Sequence, residues 1–280
     1  MHTAKAFLRD LSQLPKYRRQ LKQAGSLWAD QFQMVEYAPP YRGTWGQMRQ
    51  RRMLCALPQS ELKGWVVYLH GGAWTFGKPD DFIAVASTIL PTGYGLIMPT
   101  YRRLPRYHCG DMLADFRLAL VECTRLGWIS SRHTKTIVGG MSSGGHLAAI
   151  AGLSPQIWED AGWSIPQKVL CCGAPLDTDM MPNYPGMQLL NRGNTEINPK
   201  RILASANHIP QFMLLHPTED GMAPANQAQS FFDTLKEKSP NSCVHWLKGS
   251  GHLEAGRWMF QDNEIRRQIQ QFVQSTDTRP

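Results

Sequence analysis

Val138-Gly139-Gly140-Met141-Ser142-Ser143-Gly144-Gly145-His146 sets two serines side by side among glycines. Upstream, Thr136 to Gly140 is a short apolar run of strand type, and downstream Gly144 to Ala151 has the small-residue pattern of a buried helix. The turn between them has to be very tight. In a Gly-x-Ser-x-Gly turn the flanking glycines leave room for a strained backbone that lifts the serine oxygen above the sheet edge, at the positive end of the next helix. Ser142 has Gly140 and Gly144 on either side at two residues' distance, whereas Ser143 would need glycine where Met141 stands. Ser142 is therefore the candidate nucleophile. The N–H of Ser143, just after it, is a candidate donor to a developing oxyanion.

The surrounding pattern has an α/β rhythm. Trp65 to His70, Gly95 to Tyr101, Thr136 to Gly140, Lys168 to Gly173, Gln211 to His216 and Cys243 to Lys248 read as buried strands. Helical periodicity falls between them over Asp81 to Leu90, Asp111 to Leu126, Pro224 to Lys238 and Asn263 to Gln274. Strands apolar on both faces and alternating with helices imply a mainly parallel sheet covered on both sides. Gln33 to Tyr37 and Met48 to Leu57 are expected as an antiparallel edge. We expect one domain over residues 1–280. Residues 1–32, one or two helices broken near Pro15, and the inserted segment 177–209 are candidates for a small helical cap, because binding segments gather beyond the carboxyl ends of the strands. The plain alternative is a packing appendage and a surface loop.

The turn keeps informative company. His70-Gly71-Gly72-Ala73-Trp74 closes a buried strand with a glycine-rich loop whose N–H groups can face the same site, the second element of an oxyanion hole. An acid and then a histidine should follow at the ends of later strands. Thr218-Glu219-Asp220 and Gly251-His252 arrive where required, with His252 as general base and Asp220 as the group that fixes its tautomer. Glu219, Asp177 and Asp179 compete for the acidic role, and Asp220 is favoured as the last acid before its turn. His146, one helical turn after Ser142, is carried away from the hydroxyl and reads as a packing or loop-supporting residue. His108, His133, His208 and His245 lack ligand-like spacing, so neither a metal site nor a cofactor is expected.

Composition narrows the class. Residues 1–52 carry ten Lys or Arg against three Asp or Glu, within a chain of net charge +8. No aromatic-basic interleaving accompanies this excess, so nucleic-acid binding is not expected. No run of about 18 uncharged apolar residues exists, and the first residues lack the apolar core of a signal peptide. A cytoplasmic protein without stable membrane insertion is expected, with room for a homodimer. The six cysteines, with Cys171 and Cys172 adjacent in an apolar run, suit buried reduced thiols.

Together, His70-Gly71-Gly72-Ala73-Trp74, Tyr101-Arg102-Arg103-Leu104-Pro105, Gly140-Met141-Ser142-Ser143-Gly144-Gly145, Thr218-Glu219-Asp220 and Gly251-His252 resemble the α/β-hydrolase fold, and within it the hormone-sensitive-lipase-like carboxylesterases. The resemblance spans residues 60–275. It implies hydrolysis of carboxylic esters through an acyl-enzyme, and inserted segments too brief to form a large lid favour small, short-acyl esters. Ser142, Asp220 and His252 would form the triad, Gly71, Gly72 and Ser143 the oxyanion hole, and N-terminal helices would help cap the pocket. Trp74, Phe76 and Met141 are candidates for its lining, or equally for the core. The family commonly has an aspartate where Met141 stands, and a glutamate that forms salt bridges is missing after Pro105. The Ala73-Trp74 ending also resembles the kynurenine-formamidase branch, which cleaves an N-formyl amide. A non-catalytic small-ligand sensor on the same scaffold is the third reading.

Overall fold

The computed structural model describes residues 2–129, 134–182, 185–190 and 196–275. Its strands are β1 (Gln33–Arg42), β2 (Met48–Ala56), β3 (Gly64–Leu69), β4 (Tyr94–Pro99), β5 (Lys135–Met141), β6 (Lys168–Cys172), β7 (Gln211–Pro217) and β8 (Cys243–Leu247). Among the described residues they form one eight-stranded sheet in the order β1-β2-β4-β3-β5-β6-β7-β8. β1, β2 and β4 pair antiparallel, and all remaining pairs are parallel. The helices are α1 (His2–Ser26), α2 (Ala86–Ile89), α3 (Cys109–Arg125), α4 (Ser143–Gly152), α5 (Pro155–Glu159), α6 (Pro185–Leu190), α7 (Pro199–Ser205), α8 (Ala225–Lys238) and α9 (Glu264–Gln274).

Strand periodicity divides the interior into two cores. Val67, Val138, Val169 and Phe212 face α3, α4 and α8, which contribute Phe116, Leu147 and Phe231. Val66, Tyr68, Leu170 and Met213 face the other way, onto Tyr17 and Leu21 of α1, Ile269 of α9 and Trp258. Both faces of the central strands are apolar, as a sheet covered by helices on both sides requires. β3 lies between β4 and β5, so the chain reverses direction across the sheet at this strand. The crevice beyond the carboxyl ends at such a reversal is where open α/β sheets hold their sites. Leu69 at the end of β3 sits directly opposite Gly140 near the end of β5, which brings the His70 loop and the Ser142 turn together.

Two expectations need correction. α1 is a single 25-residue helix with Pro15 inside it, not a helix broken near that residue. Pro15 removes one backbone hydrogen bond on the exposed side, a cost of about 3 kcal/mol, while Tyr17 and Leu21 beyond it are buried and tether the following turns to the core. Asp81 to Leu90 is mostly 3₁₀: Pro79–Val85 and Leu90–Thr92 flank the four-residue α2. Pro79 opens the segment and Pro91 closes it, and between them Ile83 and Ala84 press closely on Gly25 of α1. Within the segment 177–209, residues 183–184 and 191–195 lie outside the described residues, as does His133.

Candidate active site

Ser142 stands between β5 and α4 with φ 54° and ψ −123°, a conformation that non-glycine residues rarely hold. Its neighbours make this turn sterically possible. A Cβ on Gly140 would overlap the backbone of Gly144, and a Cβ on Gly144 would overlap the Leu69 carbonyl. The Ser142 N–H donates to Cys172 O at 2.8 Å, so the next strand holds the turn from the other side. α4 starts at Ser143, and its N-terminal amides point toward the serine.

His252 Nε2 lies 2.9 Å from Ser142 Oγ, and His252 Nδ1 lies 2.8 Å from Asp220 Oδ2. The other Asp220 oxygen accepts the N–H groups of Met222 and Ala223 at 2.8 and 2.7 Å. Both the carboxylate and the imidazole are buried. Burial alone would push the Asp220 carboxyl up, but the charges of His252 and His216 and the hydrogen bonds hold it below the usual range. Burial likewise disfavours the His252 imidazolium, yet the charge and hydrogen bond of Asp220, with the charge of Asp10, carry its pKa above the ordinary histidine value. The competing acids are engaged elsewhere. Asp177 bonds Asn198 and Ser230 and pairs with Lys200, Asp179 pairs with Arg201, and Glu219 is exposed against Arg9.

Gly71 packs directly beside the serine, since a Cβ there would lie 3.5 Å from Ser142 Cβ. Gly72 has φ 137°, and Ala73 and Trp74 follow at φ 50° and 57°. Among the described residues the amides of Gly71, Gly72 and Ser143 donate to no other protein group. Two anchors hold the strained loop. The Trp74 carbonyl accepts Leu104 N–H at 3.0 Å, and the Trp74 indole N–H donates to His146 Nδ1 at 3.3 Å. His146 must then carry its proton on Nε2, which donates to Ile197 O at 2.7 Å. Burial holds His146 neutral by lowering its pKa to about 4. The Tyr101-Arg102-Arg103-Leu104-Pro105 stretch supports the same loop: Tyr101 stacks on His70 and donates to its carbonyl at 2.7 Å, while Arg102 pairs with Asp111 and Asp115.

The family model BD-FAE matches residues 56–170. The probable carboxylic ester hydrolase LipM of Mycobacterium tuberculosis is 25% identical over 62% of this chain and 45% of its own. Esterase 2 of Thermogutta terrifontis, in a form phosphoramylated by tabun, superposes with a TM-score of 0.66 at 17% identity, over 87% of this chain and 92% of that one. The esterase of Pyrobaculum calidifontis does so at 0.64 and 16%, over 93% and 92%. The chain has the α/β-hydrolase fold, and what it is similar to in sequence are carboxylic ester hydrolases. It spans about half the length of the curated relatives it matches.

Within this α/β-hydrolase fold the three residues considered for pocket lining are placed differently. Trp74 and Met141 are buried in opposite cores, and Phe76 is 69% exposed. Met141 accepts the Tyr17 hydroxyl on its sulfur at 3.3 Å, and Gly256 leaves space for both groups. Among the described residues no group of His, Cys, Asp or Glu is arranged to hold a metal ion, and no helix is long and apolar enough to cross a membrane. Cys55, Cys109, Cys123, Cys171 and Cys172 are buried free thiols, and Cys243 is half-buried.

The sequence reading missed Asp10. Its carboxylate is 1% exposed, and it approaches both loops that carry Asp220 and His252. The signal lay in its position. It is the lone acid of a basic helix, and it falls on the same stripe as Leu14, Tyr17 and Leu21, four, seven and eleven residues on.

Proposed function

We propose that this chain is a serine esterase that hydrolyses small, largely uncharged, short-acyl carboxylic esters through an acyl-enzyme. The observation that carries this reading is the hydrogen-bonded line Asp220, His252, Ser142, closed at 2.8 and 2.9 Å. His252 Nε2 takes the hydroxyl proton as Ser142 Oγ attacks the ester carbonyl carbon, while Asp220 keeps Nδ1 protonated and stabilises the imidazolium. The amides of Gly71, Gly72 and Ser143 receive the oxyanion, each such donor being worth about 2.7–4 kcal/mol of transition-state stabilisation. The alcohol leaves with the proton returned by His252. Water, deprotonated by the same imidazole, then attacks the acyl-enzyme and releases the acid.

Exposed Phe76 would meet the substrate at the rim, and the amino-terminal helix with the segment 177–209 would cover the site. The buried free thiols suit a cytoplasmic location. A homodimer is testable by light scattering. Trp74, which raised the N-formyl amide reading, has its ring edge-on to His146 in the interior, so its use in holding the loop does not single out an amide substrate. Comparing turnover of p-nitrophenyl acetate with that of N-formylkynurenine separates the two readings.

A series of p-nitrophenyl esters of increasing acyl length tests the proposal. Turnover is expected to be highest with short chains and absent in Ser142→Ala. A maximum at long chains would contradict the short-acyl assignment, and no turnover with any ester would favour the amidase or sensor reading.

A further inference from the structure

Asp10 reaches from α1 into the point where the two catalytic loops meet. Its Oδ2 accepts Gly221 N–H at 2.9 Å and His252 N–H at 3.1 Å. Gly221 follows Asp220 directly, so a single oxygen ties the loop bearing the acid to the loop bearing the base. The other oxygen accepts Arg9 Nε at 3.1 Å. Arg9 in turn pairs with the Glu219 carboxylate at 2.9 Å and donates to the Glu219 carbonyl. The approach is close enough to dictate glycines. A Cβ on Gly251 would overlap Asp10 Oδ1, and one on Gly221 would overlap the α1 backbone at Ala6 and Phe7.

We infer that Asp10 is a positioning residue for the reaction proposed above, clamping the Asp220 and His252 loops at the spacing that the relay needs. A buried carboxylate is tolerated where charge-assisted hydrogen bonds satisfy it, and here both oxygens are occupied. Two amides converging on one oxygen fix the distance between their loops more tightly than either loop's own turn. α1 is thus a clasp on the relay as well as a cover. Its charge acts in the same direction as its geometry, because a second negative group near His252 favours the imidazolium formed during attack. The other charged or titratable groups around His252 are Asp220 and His216 at the end of β7, Arg9 with Glu219, and Cys172 of β6, whose thiol burial pushes up to about 12. Its own 3₁₀ segment adds Glu254 and Arg257.

The inference rests on the serine-esterase reading, so the test keeps the two apart. Asp10→Asn and Gly251→Ala are compared with wild type and with Ser142→Ala on p-nitrophenyl acetate. Rates are normalised to active sites titrated to completion with a fluorophosphonate, and thermal melts establish that each protein is folded. Asp10→Asn removes the charge but retains an acceptor, and Gly251→Ala retains the charge but displaces the carboxylate. Both are expected to lower kcat by about 10- to 100-fold with KM near wild type, the scale of a small misplacement of reacting groups. In Asp10→Asn alone, the acid limb of kcat/KM is also expected to move to lower pH. Folded variants with wild-type kcat and an unmoved acid limb would overturn the clamp. Activity persisting in Ser142→Ala would overturn the reading beneath it, whatever the Asp10 variants do.

Discussion

At the scale of single residues, the proposed chemistry depends on two opposed pKa displacements in contact. Asp220 is held below the ordinary carboxylate range and His252 above the ordinary imidazole value, each chiefly by the other once burial is overcome. The base has to be neutral to accept the serine proton. The acid limb of kcat/KM is therefore expected above pH 6.5, the unperturbed histidine value of about 6.5 being the reference. Asp220→Asn removes the charge that raises it, so kcat is expected to fall and the surviving limb to shift to lower pH, as a pH–rate profile would read. An unmoved limb would mean that Asp220 does not govern the base. Ser142 was legible as a candidate because glycine stands at both flanking positions and the Gly71-Gly72, Asp220 and His252 loops follow the expected order around it. Asp220 over Glu219 was legible only as a preference, since neighbouring acids differ in direction and direction needs coordinates. Asp10 was not legible as part of the site, because its contacts lie about 210 and 240 residues away in sequence.

At the scale of elements, the order and kind of strands followed from apolar runs of five to seven residues, and the turns from glycine. The departures came where tertiary packing overrode local preference. α1 continues through Pro15 because its buried stripe, from Leu14 to Leu21, is anchored on both sides of the proline. Pro15→Ala is expected to raise stability by about 2 kcal/mol, the lost helical bond partly offset by the proline's restriction of the unfolded chain. A melting temperature unchanged or lowered would show that the proline is not a cost in this helix. The elbow between β5 and α4 has no such tolerance. Gly144→Ala places a methyl group on the Leu69 carbonyl, backbone against backbone, and is expected to cost more than about 4 kcal/mol or to prevent folding. Soluble Gly144→Ala with a wild-type melt would contradict the packing described for this turn.

At the scale of the whole molecule, two buried neutral histidines support the site from behind. Burial lowers the pKa of His70 to about 3 and of His146 to about 4. A histidine whose pKa falls on folding contributes stability above its unfolded value, and that contribution is lost as pH falls below it. At pH 5 the loss is about 2 kcal/mol for each, taking an unfolded value of about 6.5. His252, displaced the other way, offsets part of this. Thermal melts are expected to drop between pH 7 and pH 5, and His146→Gln, which can keep a donor toward Ile197, should flatten the dependence. The sheet order, the two cores and the loops at the carboxyl ends then serve one end, bringing distant residues to one hydroxyl. The most direct measurement of that claim is peptide mapping by mass spectrometry after reaction with a fluorophosphonate at neutral pH. One adduct is expected, on Ser142, formed far more slowly in His252→Gln. An adduct on Ser143, or labelling of Ser142 that does not depend on His252, would contradict it.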